Sequence, residues 1–278
     1  AYTFLVYVTR SGEAIVRQER NFYGVLTLKQ KDFKGNTALV MKHGDTIHGL
    51  ELGDKRGDCF STSYYHGESP LGQFISAMGS TIQDVAMIGL GTGSIVCLGN
   101  QAQHWTIIDV NPLVLRLAQD EWYFTFLQNH PLEGLDLKVG DGRLEVAKLK
   151  PQSLDLLVVD AFSADAIPVH LLTTEAMKMY LQALRPSGLI LMHISNRYIN
   201  LVPVIANLAD YFGRQAYTSP DYQVTAKQEQ EGMLQSRWML LVPPTTQTLP
   251  RERWNLVAGN KNDAWSDDYS SIITYIDW

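Results

Sequence analysis

Three acids stand where strand-like apolar runs end: Asp109 closes Trp105–Asp109, Asp141 follows Leu135–Val139, and Asp160 closes Leu154–Asp160. In a parallel α/β sheet the carboxyl ends of the strands form the crevice that takes a ligand. A carboxylate there accepts hydrogen bonds from two ribose hydroxyls or from an exocyclic amine, or it holds a cation. Singly, each acid is more often a helix cap or a solvated turn; in register at consecutive strand ends they read as one group. Ahead of them, Asp84–Leu90 runs into Gly89-Leu90-Gly91-Thr92-Gly93, where absent side chains let the backbone turn tightly and approach a ligand. The dinucleotide fingerprint would be GxGxxG, but Ser94 and Ile95 follow Gly93 with no third glycine in place. The expected ligand is therefore a nucleoside without pyrophosphate. Asp109 is the expected ribose anchor, and Asp141-Gly142 the expected acceptor for an adenine amine. The stretch Asp160–Pro168 adds a second carboxylate, Asp165, with no basic residue before His170. Such a loop suits a cation, and one carboxylate can take a proton from a nucleophilic amine if its surroundings raise its pKa. The bland alternative for Asp165 is a cap on the following turn.

The elements that must position these residues follow from periodicity. From Asp84 onward, apolar runs of strand length alternate with helical stretches, the pattern of a parallel sheet with crossover helices. Strands are expected at Asp84–Leu90, Trp105–Asp109, Leu135–Val139, Leu154–Asp160 and Leu189–Ile194, with weaker ones at Gln215–Thr218 and Trp238–Val242. Pro112 opens a helix through Phe126, and Thr173 or Thr174 caps another through about Leu184. Pro186-Ser187-Gly188 reads as a turn, and the polar run Gln228–Gly232 as a mobile loop. Before residue 72, short alternating segments such as Ala14–Val16, Tyr23–Leu28 and Ala38–Met41, broken by Gly and Asp, read as a small antiparallel unit. The expected division is residues 1–75 and 76–278.

At 278 residues and 45% hydrophobic content the chain can bury a large core. Its 23 basic against 29 acidic residues give a net charge of −6, which argues against nucleic acid as a partner and sits well with a cationic substrate. Cys59 and Cys97 lie in contexts that read as strand or helix interior, so neither a disulfide framework nor a metal site is expected. No apolar run is long enough to span a bilayer, and the expectation is a soluble chain.

The motifs IGLGTG at 88–93, IIDVNP at 107–112, GDGR at 140–143 and VVDAFSADAIPVHLLT at 158–173 resemble those of the spermidine synthase family of polyamine aminopropyltransferases. HGDTIHG at 43–49, TSYYHGESPLG at 62–72, HISNRY at 193–198 and WSDDYS at 265–270 look closer to one branch, in which such a domain is often joined to a membrane-spanning, transporter-like segment. The resemblance implies an α/β fold: a Rossmann-like, methyltransferase-type, mostly parallel sheet with helices on both faces, preceded by a small N-terminal antiparallel β domain. It implies transfer of an aminopropyl group from decarboxylated S-adenosylmethionine to a di- or polyamine, with methylthioadenosine as product and no metal. By position, Gly89, Gly91, Gly93, Asp109, Asp141, Gly142 and His48 would hold the nucleoside. Asp160 would orient and deprotonate the amine, Tyr65 would stand beside it, and Asp165 would lie in the gate loop. A homodimer, a fused or lost membrane segment, and cytoplasmic residence are what the resemblance suggests for assembly and place. Two departures stand out, DAFSAD for a DSSDP-like loop and Tyr65-His66 for a tyrosine–glutamine pair.

Two rivals keep the nucleoside site. Methyl transfer or another cleavage of intact S-adenosylmethionine would call for a basic residue at its carboxylate, for which Arg143, Arg197 and Lys138 are candidates. A non-catalytic sensor of nucleoside or polyamine would need no Asp160.

Overall fold

The computed structural model describes residues 7–8, 13–161, 168–196, 198–246 and 254–276. The first sheet is antiparallel in the order β1-β2-β3-β4-β5, with β1 Tyr7–Val8, β2 Ala14–Asn21, β3 Gly24–Phe33, β4 Asn36–His43 and β5 Thr46–Leu52. Its β3–β4 hairpin turns at Lys34-Gly35, both with positive φ, the two-residue turn whose twist matches that of paired strands. Leu26, Leu28 and Met41 join the same apolar cluster as Phe74, Val85 and Met87, which fastens this sheet to the larger unit.

The second sheet runs β13-β11-β12-β10-β9-β6-β7-β8. Its strands are β6 Asp84–Ile88, β7 His104–Asp109, β8 Gly134–Val139, β9 Leu154–Val159, β10 Leu184–His193, β11 Gln215–Thr218, β12 Trp238–Val242 and β13 Asn255–Val257. The five strands from β10 to β8 are parallel, while β12, β11 and β13 pair antiparallel. Along β6, Val85 and Met87 enter one core cluster and Ala86 and Ile88 the other; Leu156 and Val158 of β9 alternate likewise with Leu157 and Val159. Burial on both faces is why these strands read as unbroken apolar runs. The helices are α1 Pro70–Met78, α2 Pro112–Gln119, α3 Gly142–Ala147, α4 Thr174–Ala183, α5 Val202–Tyr211 and α6 Ala226–Gln230. From β6 the chain winds outward to β7 and β8, then returns to β9 on the other side of β6 and continues to β10. The carboxyl ends of β6 and β9 are thus the switch point at which such sheets open a crevice.

The fold is the expected one, and four local expectations are corrected. Helix α2 stops at Gln119 instead of Phe126: the Asp120 side chain accepts from Trp122 N at 3.1 Å, a local bond that competes with the helix. Pro186-Ser187-Gly188 is no turn between elements but an irregularity inside β10, where its pairing with β9 skips from Leu184 to Leu189. Gln228–Gly232 is no loop throughout, since Thr225 and Gln228 form a capping box that starts α6. Cys59 and Cys97 form a disulfide with Cα atoms 5.2 Å apart. Neither cysteine is in a paired spacing; tertiary packing alone brings the segment after β5 against the turn that follows the glycine loop. Thr173 is the cap of α4, accepting from Ala176 N.

Candidate active site

A cavity of about 820 Å³ opens over the carboxyl ends of the parallel strands, lined by Gly89, Gly91, Asp109, Asp141, Gly142 and Asp160 and, from the N-terminal part, by His48, Tyr64 and Tyr65. The three strand-end acids therefore do share one site. Gly93 stands off this wall as the left-handed cap of the short turn Ser94–Leu98. Asp165 and Arg197 lie outside the described residues.

Gly89 and Gly91 set how close the walls come. Gly89 has φ +98°, and a Cβ there would lie 1.8 Å from the Asp160 carbonyl oxygen; at Gly91, φ +58°, it would lie 2.2 Å from the His48 carbonyl oxygen. The turn after β6 thus presses against both the β9 end and β5. Gly89→Ala is expected to cost about 3 kcal/mol or more, from a strained backbone plus overpacking, read as a lowered urea midpoint with an unchanged slope. A midpoint within error of the parent would show that the contact relaxes freely.

Asp109 accepts from Leu90 N at 3.0 Å through one oxygen and from Asn111 N at 2.9 Å through the other. It is tied to the glycine turn and to the start of α2, and each oxygen keeps a lone pair for a ligand hydroxyl. Burial pushes its carboxyl up to about 6 against the pull of those two N–H groups. Asp141 caps α3 through Leu144 N at 3.0 Å, so the bland alternative holds for one oxygen; the other lies 3.1 Å from His170 Nε2. His48 Nε2 is buried with no hydrogen-bond partner among the described residues, and burial, together with the neighbouring His43, holds the ring down to about 4, hence neutral.

Asp160 likewise meets two partners, both of them side chains from other elements. The Tyr65 hydroxyl donates to its Oδ2, and His193 Nδ1 lies 2.8 Å from Oδ1. Burial raises its carboxyl, but the charge and hydrogen bond of His193, with Tyr65 adding, outweigh that and hold it below the usual range. It is an anion at neutral pH. Tyr65 is pushed up well above the ordinary phenol range, first by burial and then by Asp160, so it keeps its proton and donates it to Asp160.

Sequence reasoning missed His193, Ser195 and His170. His193 is marked by the same strand-end position as the acids, because it ends β10 beside the end of β9. Glu68 accepts from Gln228 Nε2 at 2.5 Å, and neither it nor Asp268 lines the cavity, so neither is placed to hold a remote ammonium there. Arg143 grips Asp267 through both NH groups at 2.7 Å, and Asp267 also accepts from the Thr173 hydroxyl, so the WSDDYS segment ties the C-terminal region to α3 and α4.

No protein-family model matches the chain. A polyamine aminopropyltransferase of Vibrio vulnificus (strain CMCP6) is 32% identical over 111 residues, which is 38% of this chain and 36% of that protein, so the match spans about a third of its relative. A probable spermidine synthase of Corynebacterium glutamicum ATCC 13032 superposes with a TM-score of 0.61 at 13% identity, over 85% of this chain and 82% of its own. A spermidine synthase in complex with the transition-state analogue AdoDATO gives 0.58 at 13% identity, over 84% and 74%. The chain is thus similar in sequence to a polyamine aminopropyltransferase over about a third of its length, and in fold to spermidine synthases over most of it.

Proposed function

We propose that the chain transfers the aminopropyl group of decarboxylated S-adenosylmethionine to a small amine, releasing methylthioadenosine. The observation that carries this is the row across the switch point: Asp141 and Asp109 on one side of Gly89, and the Asp160–Tyr65 pair on the other, in one cavity. With the nucleoside on Asp109 and Asp141, its side chain would extend over the glycine turn toward Asp160. The sulfonium is already a good leaving group, so the protein has mainly to align a neutral amine for in-line attack on the adjacent carbon. Asp160, an anion in a buried place, would hold that amine.

Intact S-adenosylmethionine would need a cation at its carboxylate: Arg143 is committed to Asp267 and Lys138 lies 3.2 Å from Asp136 and off the cavity wall, whereas Arg237 lines the cavity and Arg197 lies outside the described residues, so the calorimetry below separates the two donors. A homodimer and an attached membrane segment rest on the resemblance alone; among the described residues no helix is long and apolar enough to cross a membrane. The Cys59–Cys97 bond counts against cytoplasmic residence, since reducing compartments keep such pairs open.

Calorimetry with S-adenosylmethionine, its decarboxylated form and methylthioadenosine, followed by product analysis with a diamine, tests the proposal. The decarboxylated form should bind more tightly than the intact one, and methylthioadenosine and a longer polyamine should appear together. Methylthioadenosine formed without any amine acceptor would sink it. The binding arm carries a pH signature: Asp109 must be ionised to accept from both ribose hydroxyls, and its carboxyl titrates at about 6. Affinity should be flat above neutrality and fall as pH drops through that value, by up to about tenfold per unit below it. A flat profile down to pH 5 would remove Asp109 from the ribose.

A further inference from the structure

Beside Asp160 stands a chain of groups that the reaction as so far described does not use. His193 Nδ1 meets Asp160 Oδ1 at 2.8 Å, and His193 Nε2 meets Ser195 Oγ at 2.7 Å. Ser195 Oγ in turn accepts from Arg237 N at 2.7 Å. These contacts fix the hydrogens. Asp160 is an anion and only accepts, so the imidazole proton sits on Nδ1. In the neutral ring with its proton on Nδ1, Nε2 can only accept, so the Ser195 hydroxyl donates to it while accepting from Arg237 N. A serine oxygen has two lone pairs, and the second remains open on a side chain that is half-buried and lines the cavity.

We propose that His193 is the base that receives the amine's proton, passed to Nε2 through the Ser195 hydroxyl, and that Asp160 holds the imidazolium so formed. This rests on the aminopropyl-transfer reading above. As the amine nitrogen bonds to carbon, the C–S bond breaks with its electron pair going to sulfur, which leaves as neutral methylthioadenosine. The nitrogen, now positive, gives its proton to Ser195 Oγ while Ser195 gives its own to Nε2; the proton later returns to water by the same path. Charge is conserved at each stage.

Two observations favour this over Asp160 acting alone. Both Asp160 oxygens already take a side-chain donor, which makes each less basic toward the amine's proton. The His193 ring stacks on Trp238 at 4.6 Å and 21°, with Tyr64 at 5.0 Å, so the imidazolium would form against aromatic faces that attract a cation. Asp160 is then worth more as the fixed counter-ion to that cation than as its rival for the proton. The titratable and charged groups facing this pair are Asp160 from the end of β9, Tyr64 and Tyr65 before α1, His48 of β5, which is neutral, and Arg237 before β12.

The test compares pH profiles of kcat for the wild-type chain, His193→Asn, which keeps an N–H toward Asp160 without a base, and Ser195→Ala. Methylthioadenosine affinity is measured in parallel. His193→Asn should lower kcat about 100-fold or more, lose the acidic limb contributed by the imidazole, and bind methylthioadenosine as tightly as the parent. Ser195→Ala should lower kcat while keeping that limb, and free imidazole should restore part of the activity of His193→Ala. Wild-type kcat in His193→Asn, or a reduced kcat with an unchanged pH profile, would overturn the proposal, the second by making His193 a prop for Asp160. A wild-type chain that transfers no aminopropyl group would overturn the parent reading, and this arm shows that separately.

Discussion

Asp160→Asn is expected to lower aminopropyl transfer by about 10³-fold or more in kcat while methylthioadenosine still binds. The substitution keeps the shape of the side chain and an oxygen for His193 Nδ1, but it removes the negative charge from a buried site. The amine that becomes positive during the reaction, and any imidazolium beside it, would then lose their counter-ion where solvent cannot replace it. The amide nitrogen would also face the Tyr65 hydroxyl, which now donates to Asp160 Oδ2 and would have to turn to accept. Nucleoside binding should persist because Asp109 and Asp141 are held by Leu90, Asn111 and Leu144 through bonds that do not involve the Asp160 side chain. Steady-state transfer assays and calorimetry with methylthioadenosine decide it. A variant that keeps a tenth of the parent rate, or that loses both activities together, would remove Asp160 from the chemistry.

Reducing the Cys59–Cys97 bond, or replacing both residues by serine, should cost about 4 kcal/mol, the loop-closure value for a separation of 38 residues. For a chain of this size that is roughly a 10 °C fall in melting temperature. The effect should extend to the ligand. Cys97 lies in the turn that follows Gly93, and that turn is continuous with the loop carrying Gly89 and Gly91 into the cavity wall. Unfastening it from the segment after β5 should weaken methylthioadenosine binding as well as the fold. Thermal melts with and without dithiothreitol, and calorimetry on the reduced chain, measure the two parts. A melting temperature that does not move on reduction would mean the bond adds nothing to packing already complete.

The sequence alone determined the parallel sheet, because strand positions buried on both faces must be apolar, and β6 from Val85 and β9 from Leu156 are apolar without a break. It determined the acids too, since Asp109, Asp141 and Asp160 follow those runs directly, and a strand-end position is a local property. It also narrowed the cap of α4 to Thr173 or Thr174, and the fold chose Thr173. What it did not carry was any pairing between distant segments. Tyr65 and Asp160 are 95 residues apart, His193 and Asp160 33, and Cys59 and Cys97 38. Each partner is an ordinary residue in its own neighbourhood, so nothing local marks the pair. Only the order of the strands, with β9 returning between β6 and β10, sets His193 beside Asp160; only the docking of the N-terminal sheet delivers Tyr65 and His48. Asp141 shows the boundary most clearly. Its place was legible, but its division between a helix cap and His170 depended on the folded chain, because two acceptor oxygens can serve two neighbours and the sequence names neither.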